Sequence, residues 1–301
     1  MGVLAGFAGV WALIALGKIV QLKGILNEDA AKQINVFVLM VAMPALSFEA
    51  MYNIESFTGL YWLPVGGLLV ALVVTAIAFP AAKMMKLKKQ ETGSFVISSL
   101  LPNVGFLGLP IMAAFFGQAG VEAAVVYIIS FNILSPTVVN YISECYGGAC
   151  PASGKQMLKK VLLFPLFIAF ILGIAFNFSG IALPEILMTL VGDVGSITIP
   201  LILVSIGVLL KMEKADAFKA VGAIGALRFI VAPLVAYAFG VSVGLSGVIL
   251  AVLVLESAMP PAIANLSYSI ERKLDVKLTL NAIFYLTLAS MVALPVIAWL
   301  L

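Results

Sequence analysis

Three charged residues stand alone inside long apolar runs: Asp193, Arg228 and Glu256. A charge at the centre of such a run costs a few kcal/mol or more in hydrocarbon, so it faces a bundle interior or a water-filled cavity. Arg228 carries a planar fork that grips a carboxylate with two hydrogen bonds. Asp193 and Glu256 can each carry a proton or ligate Na⁺. Histidine is absent from all 301 residues, so proton or cation chemistry inside the membrane falls to Asp and Glu. The same absence excludes a His-ligated haem and a Ser–His hydrolase. An intramembrane aspartyl protease needs a pair of aspartates, and Asp193 is the single candidate. Cys145 and Cys150 share one connecting loop. Two thiols without His make a poor metal site; they read as reduced cytosolic cysteines, with a loop disulfide as the alternative. No metal and no cofactor is expected, and the coupling ion is left open between H⁺ and Na⁺.

The polar residues beside the prolines form a second group. Pro102 is followed by Asn103 and Gly105, and Pro260-Pro261 by Asn265. The two amides can donate and accept, so they suit substrate or ion contact, or else cap a half-helix. Arg228 has two readings, a counter-charge for an anionic substrate or the structural partner of an intramembrane acid. Asp193 and Glu256 are either the coupling groups or that partner. Asn132, Pro136, Asn140 and Glu144 recur every four residues and share one helix face, read as buried against other helices or lining a cavity. Glu49, Glu55, Glu122 and Glu185 read as solvated groups near the outer surface.

These residues need a membrane frame to position them. The chain is 63% hydrophobic and 10% charged, against roughly 25% charged in soluble domains. Apolar runs of about 20 residues, enough to cross a hydrocarbon core of ~30 Å, recur along its whole length. They divide the chain into ten spans, near 2–20, 33–53, 60–82, 94–116, 120–144, 158–178, 184–210, 219–240, 246–270 and 277–301. The first reads as a retained span rather than a signal peptide, because its first positive charge, Lys18, follows the apolar core. Lys and Arg fill every second loop: Lys18, Lys23 and Lys32; Lys83 to Lys89; Lys155 to Lys160; Lys211 to Lys219; Arg272 to Lys277. Basic loops face the cytoplasm. The expected protein is therefore a multi-pass component of the cell (inner) membrane with both termini extracytoplasmic. Its partners are the bilayer and a small solute, not nucleic acid.

Five spans per half put the second half upside down relative to the first. Pro44 in span 2 matches Pro200 in span 7, and Pro102 in span 4 matches Pro260 in span 9, at offsets of 156 and 158 residues. Matched Gly/Pro interruptions in corresponding helices of two halves point to a transporter of inverted repeats, here 1–150 and 151–301 within one membrane domain. Proline removes an amide donor and clashes with the preceding turn. Lipid cannot satisfy the freed carbonyls, so Pro44, Pro102, Pro200 and Pro260 are expected helix breaks. Those at Pro102 and Pro260-Pro261 lie near mid-span. Each can start a second half-helix whose positive N-terminal end attracts anions.

The segment Leu101-Pro102-Asn103-Val104-Gly105-Phe106-Leu107-Gly108-Leu109-Pro110, with Phe116-Gly117 beyond it, resembles the fourth-helix signature of the auxin efflux carrier family. Glu256 through Asn265 resembles its ninth-helix counterpart, and Met43-Pro44-Ala45-Leu46 and Ile199-Pro200-Leu201 through Gly207 also fit. The resemblance covers essentially the whole chain. It implies an all-α fold of ten transmembrane helices as two inverted five-helix repeats, with broken, crossing helices 4 and 9 and substrate beside the crossing. It also implies a small organic anion, often malate or malonate, and a frequent homodimer. The long central loop of many plant members is missing. Glu256 departs from the pattern, and a comparable acid occurs in the distantly related bile-acid sodium symporters. The expected activity is secondary active transport of a carboxylate, with an anion channel or a non-transporting sensor as rivals.

Overall fold

The computed structural model describes residues 2–148, 154–211 and 218–301, and side chains from residue 6 onward. Among the described residues every regular element is helical. Six helices among the described residues are long and apolar enough to cross a bilayer, and a seventh if the pair Gly154–Leu162 and Pro165–Ser179, bent by 56°, counts as one. Gly6–Leu22 and Gly247–Ser257 are apolar but shorter. The count is lower than the ten spans expected because breaks and kinks redistribute the helices. Val104–Gly147 runs as 44 helical residues, about 66 Å at 1.5 Å per residue, twice what a bilayer core needs. Its kink is Gly117, at φ 59° and ψ −140°, a conformation open to glycine and strained for other residues. Large apolar side chains such as Leu72, Met84, Ile186, Leu234 and Val292 are exposed, as a lipid-facing surface requires.

The chain gathers into two compact units that interleave in sequence. One comprises residues 1–58, 105–125 and 159–210, and the other 59–104, 126–158 and 211–301. In the first unit, backbones approach where small residues allow it. A Cβ on Gly17 would fall on the carbonyl oxygen of Val204 and within 3.0 Å of the Gly207 Cα. A Cβ on Gly173 would come 2.7 Å from the carbonyl oxygen of Phe48 and 2.8 Å from the Met51 Cβ. Gly17 and Gly173 are 156 residues apart, and so are Phe48 and Val204, and Met51 and Gly207. The same contact is made twice, with the halves exchanged. Close glycine-mediated approach is a general way for membrane helices to pack.

The prolines behave in two ways. Three π turns, Val38–Ala42, Val104–Gly108 and Leu227–Val231, each end two residues before a proline, at Pro44, Pro110 and Pro233. A fourth, Ser135–Val139, contains Pro136. A wider i to i−5 turn absorbs the donor that proline lacks. Pro44 therefore opens no gap: Glu28–Tyr52 continues through it, with the Met43 amide donating to the Val38 carbonyl. At Pro200 the helix also restarts within one turn, Glu185–Ser196 passing through Ile197 into Thr198–Leu209. Pro44 and Pro200, expected as breaks, are local distortions. The Pro102 and Pro260-Pro261 regions are breaks: helix stops at Leu100 and at Ser257, and resumes at Val104 and at Ala264.

Candidate functional site

Both breaks lie in the second unit. The half-helix Lys89–Leu100 starts where the Lys88 amide donates to Glu91 Oε2 at 2.8 Å. It ends where Leu101 turns extended, at φ −98° and ψ 98°, as a residue before proline prefers. The half-helix Gly247–Ser257 ends before Pro260 and Pro261, two consecutive residues with no amide hydrogen. The interrupted backbones pair with each other. Asn103 N–H donates to the Pro260 carbonyl at 2.8 Å, and Ala262 N–H to the Leu101 carbonyl at 2.9 Å. These bonds form a single antiparallel bridge in which Pro102 lies opposite Pro261. Asn265 Nδ2 adds a 3.1 Å bond to the same Leu101 carbonyl. Buried backbone must find partners, and here each break supplies the other's.

The expected site residues divide between the units. Pro102, Asn103, Arg228, Glu256, Pro260, Pro261 and Asn265 belong to the unit that holds the bridge, and all are buried. Gly105 and Asp193 belong to the other. Asp193 is exposed, beside Gly192 and Gly195, which pack against Glu49 and Leu46. Gly105 sits where an added Cβ would come 2.9 Å from Met43 Cε. Glu256 is fully buried, and neither carboxylate oxygen has a hydrogen-bond partner. The buried Oδ1 of Asn265 and Oγ of Ser98 are likewise unpartnered. An ionised carboxylate without a partner is costly in a dry interior, so Glu256 calls for either a proton or a cation.

Arg228, 1% exposed, uses its guanidinium on backbone carbonyls. Nε donates to Met259 O at 2.9 Å, one terminal nitrogen to Ser99 O at 3.2 Å, and the other to Ser257 O. Among the described residues no acid lies within ion-pair distance of it. Tyr127 and Ser257 share a buried 2.8 Å hydrogen bond. The sequence reading had not singled out Tyr127, Ser98, Ser99 or Ser257. One signal could have: Ser99 and Ser257 are 158 residues apart, the offset of Pro102 and Pro260. The polar stripe of Asn140 and Glu144 is tied to the end of Ala264–Glu271, since Arg272 pairs with Glu144 Oε1 at 3.0 Å and donates to Asn140 Oδ1 at 3.2 Å. Cys145 has a free thiol. The disulfide alternative needs Cys150, which lies outside the described residues.

The family model described as membrane transport protein matches residues 6–148 and 149–298. An uncharacterized transporter of Methanothermobacter thermautotrophicus is 30% identical, the match covering 98% of this chain and 97% of the relative. An uncharacterized transporter of Methanocaldococcus jannaschii is 31% identical over 97% of this chain and 96% of its own length.

Proposed function

Because the chain belongs to the membrane transport protein family of auxin efflux carriers, and is a multi-pass transporter rather than an enzyme, we propose that it is a secondary carrier of a small organic anion, a carboxylate. The observation that carries this reading is the mutual pairing of the two proline breaks inside one compact unit. Irregular backbone at membrane depth is tolerated where it is buried in protein or lines a cavity, and in carriers that is where solute binds. Beyond the breaks, helix resumes at Val104 and at Ala264. The N-terminal end of each half-helix carries partial positive charge, which suits a carboxylate. Asn103 adds an amide donor, while Asn265, whose Nδ2 already donates to Leu101, offers its unpartnered Oδ1 as an acceptor.

The carrier works by alternating access, and two compact units supply the bodies such a cycle needs. Ten spans in two inverted repeats accommodate every break and kink described above. The twice-made contact of Gly17 and Gly173 supports that symmetry, as does a basic cluster in every second loop. The protein lies in the inner membrane with both termini outside. Glu256 is the first candidate for coupling to H⁺ or Na⁺, and Asp193 the second.

A thermal-shift screen tests this reading on purified protein. The panel holds malate, malonate, other mono- and dicarboxylates and their neutral amides, with and without Na⁺ and at two pH values. A ligand bound to the native state raises apparent stability, and carboxylates should do so where their amides do not. The compound that binds should then show saturable uptake and counterflow in proteoliposomes. A preferred substrate that is neutral or cationic overturns the anion assignment. Flux that neither saturates nor shows counterflow overturns the carrier.

A further inference from the structure

The two breaks create a specific shortage. In a continuous helix the Ser257 carbonyl would accept from the amide of residue 261, but that residue is Pro261. The Ser99 carbonyl would accept from the amide of Asn103, but Asn103 donates to Pro260 instead. Both half-helices therefore end with a freed carbonyl at their negative pole. Arg228 donates to both of these carbonyls, and to that of Met259 beside the second. Ser99 and Ser257 are 158 residues apart, as Pro102 and Pro260 are, so one side chain serves the same carbonyl of each repeat. Arg228 has no counterpart in the first half, where positions 70 to 72 are Val, Ala and Leu. It stands on the π turn Leu227–Val231, the kind of local widening that re-aims side chains at functional sites.

We propose that Arg228 is the shared C-terminal cap of the two half-helices, a positioning residue that holds the paired breaks in register through the Ser99, Ser257 and Met259 carbonyls and is not itself the substrate's counter-ion. It rests on the reading of the breaks as the substrate site. Three N–H donors of the guanidinium are committed to main-chain acceptors lying on two different segments. A point charge cannot reproduce this, because an ammonium lacks the planar fork that reaches several acceptors at once. The substrate's charge is then met by half-helix N-termini and amide donors.

The test needs no substrate, so its failure is separable from failure of the carrier reading. Hydrogen–deuterium exchange is followed on purified full-length protein for peptides covering 99–104 and 257–264. Arg228→Met should speed exchange in both segments by about tenfold, the scale of one lost hydrogen bond to a charged group. The helices Gly2–Leu22 and Thr198–Leu209 of the other unit should exchange as before. Pro261→Ala, added to Arg228→Met, returns an amide donor to Ser257 and should slow exchange in 257–264 while leaving 99–104 fast. If Arg228→Met does not yield folded protein, Arg228→Lys carries the same comparison. Unchanged exchange in either segment overturns the shared cap, and so does a second substitution that slows both segments or neither.

Discussion

Glu256 and Arg228 are both buried in the unit that holds the two breaks, yet their partners differ in kind. Arg228 is satisfied by carbonyls, whereas the Glu256 oxygens have no hydrogen bond. If the proposed carrier couples to an ion, this unpartnered carboxyl is the group to test. Glu256→Gln should therefore abolish accumulation driven by the ion gradient while retaining substrate exchange, measured side by side in proteoliposomes. Asp193→Asn is the companion variant, and unchanged gradient-driven uptake in both would remove these acids from coupling. Glu144 is the contrasting acid. Its pair with Arg272 is nearly buried on the acid's side, so Glu144→Ala should destabilise the protein by about 1–3 kcal/mol. Arg272→Ala on top of it should add only the loss of its bond to Asn140, a double-mutant cycle that reports coupling between Asn140–Gly147 and the end of Ala264–Glu271.

At the scale of the element, proline's effect depends on what surrounds it. Pro44, Pro110 and Pro233 are each preceded by a π turn, and helix runs on through them. Pro102 and Pro260-Pro261 have each other, and extended backbone results. Replacing Pro260 with Ala should favour a more continuous ninth helix, keep the protein folded and remove transport. A well-folded Pro260→Ala protein with wild-type uptake would show that the breaks are not where the solute binds. The glycine contacts constrain an element differently, by leaving no room for a side chain. Gly17→Leu and Gly173→Leu each place a side chain against a facing backbone carbonyl. Each should cost about 1–3 kcal/mol by overpacking and lower the melting temperature, Gly17→Leu at least as much as Gly173→Leu, because its Cβ meets the facing carbonyl more closely.

For the whole molecule, orientation is the property that the positive charges address. The cytoplasm holds loops rich in Lys and Arg, and the basic clusters alternate along the chain. A single cysteine placed near Asn53 should react with an impermeant thiol reagent in intact cells, and one near Lys88 should be shielded until the membrane is opened. The reverse pattern would invert the molecule. The glycine contacts bear on the same architecture from inside. Gly17 meets Val204 and Gly207, and Gly173 meets Phe48 and Met51, at one constant offset of 156 residues. The repeated offset is what the proposed two-repeat architecture expects.

By itself the sequence determined what depends on composition and on local chemistry. Apolar runs dictated a helical membrane protein, and the Leu101–Pro110 and Glu256–Asn265 segments marked the family and both real breaks. What it left undecided were relations between distant segments. Nothing local distinguishes Pro44, which a π turn absorbs, from Pro102, which breaks its helix, because the difference lies in whether another interrupted backbone is near enough to pair. Arg228 shows the same limit. Its charge and depth required partners, and sequence reasoning looked for an acid or a substrate, since ion pairs are what charges suggest. The partners are instead the Ser99, Ser257 and Met259 carbonyls, main-chain atoms present at every position. Only the tertiary fold decides which of them are stripped of their helical donors and brought to one guanidinium.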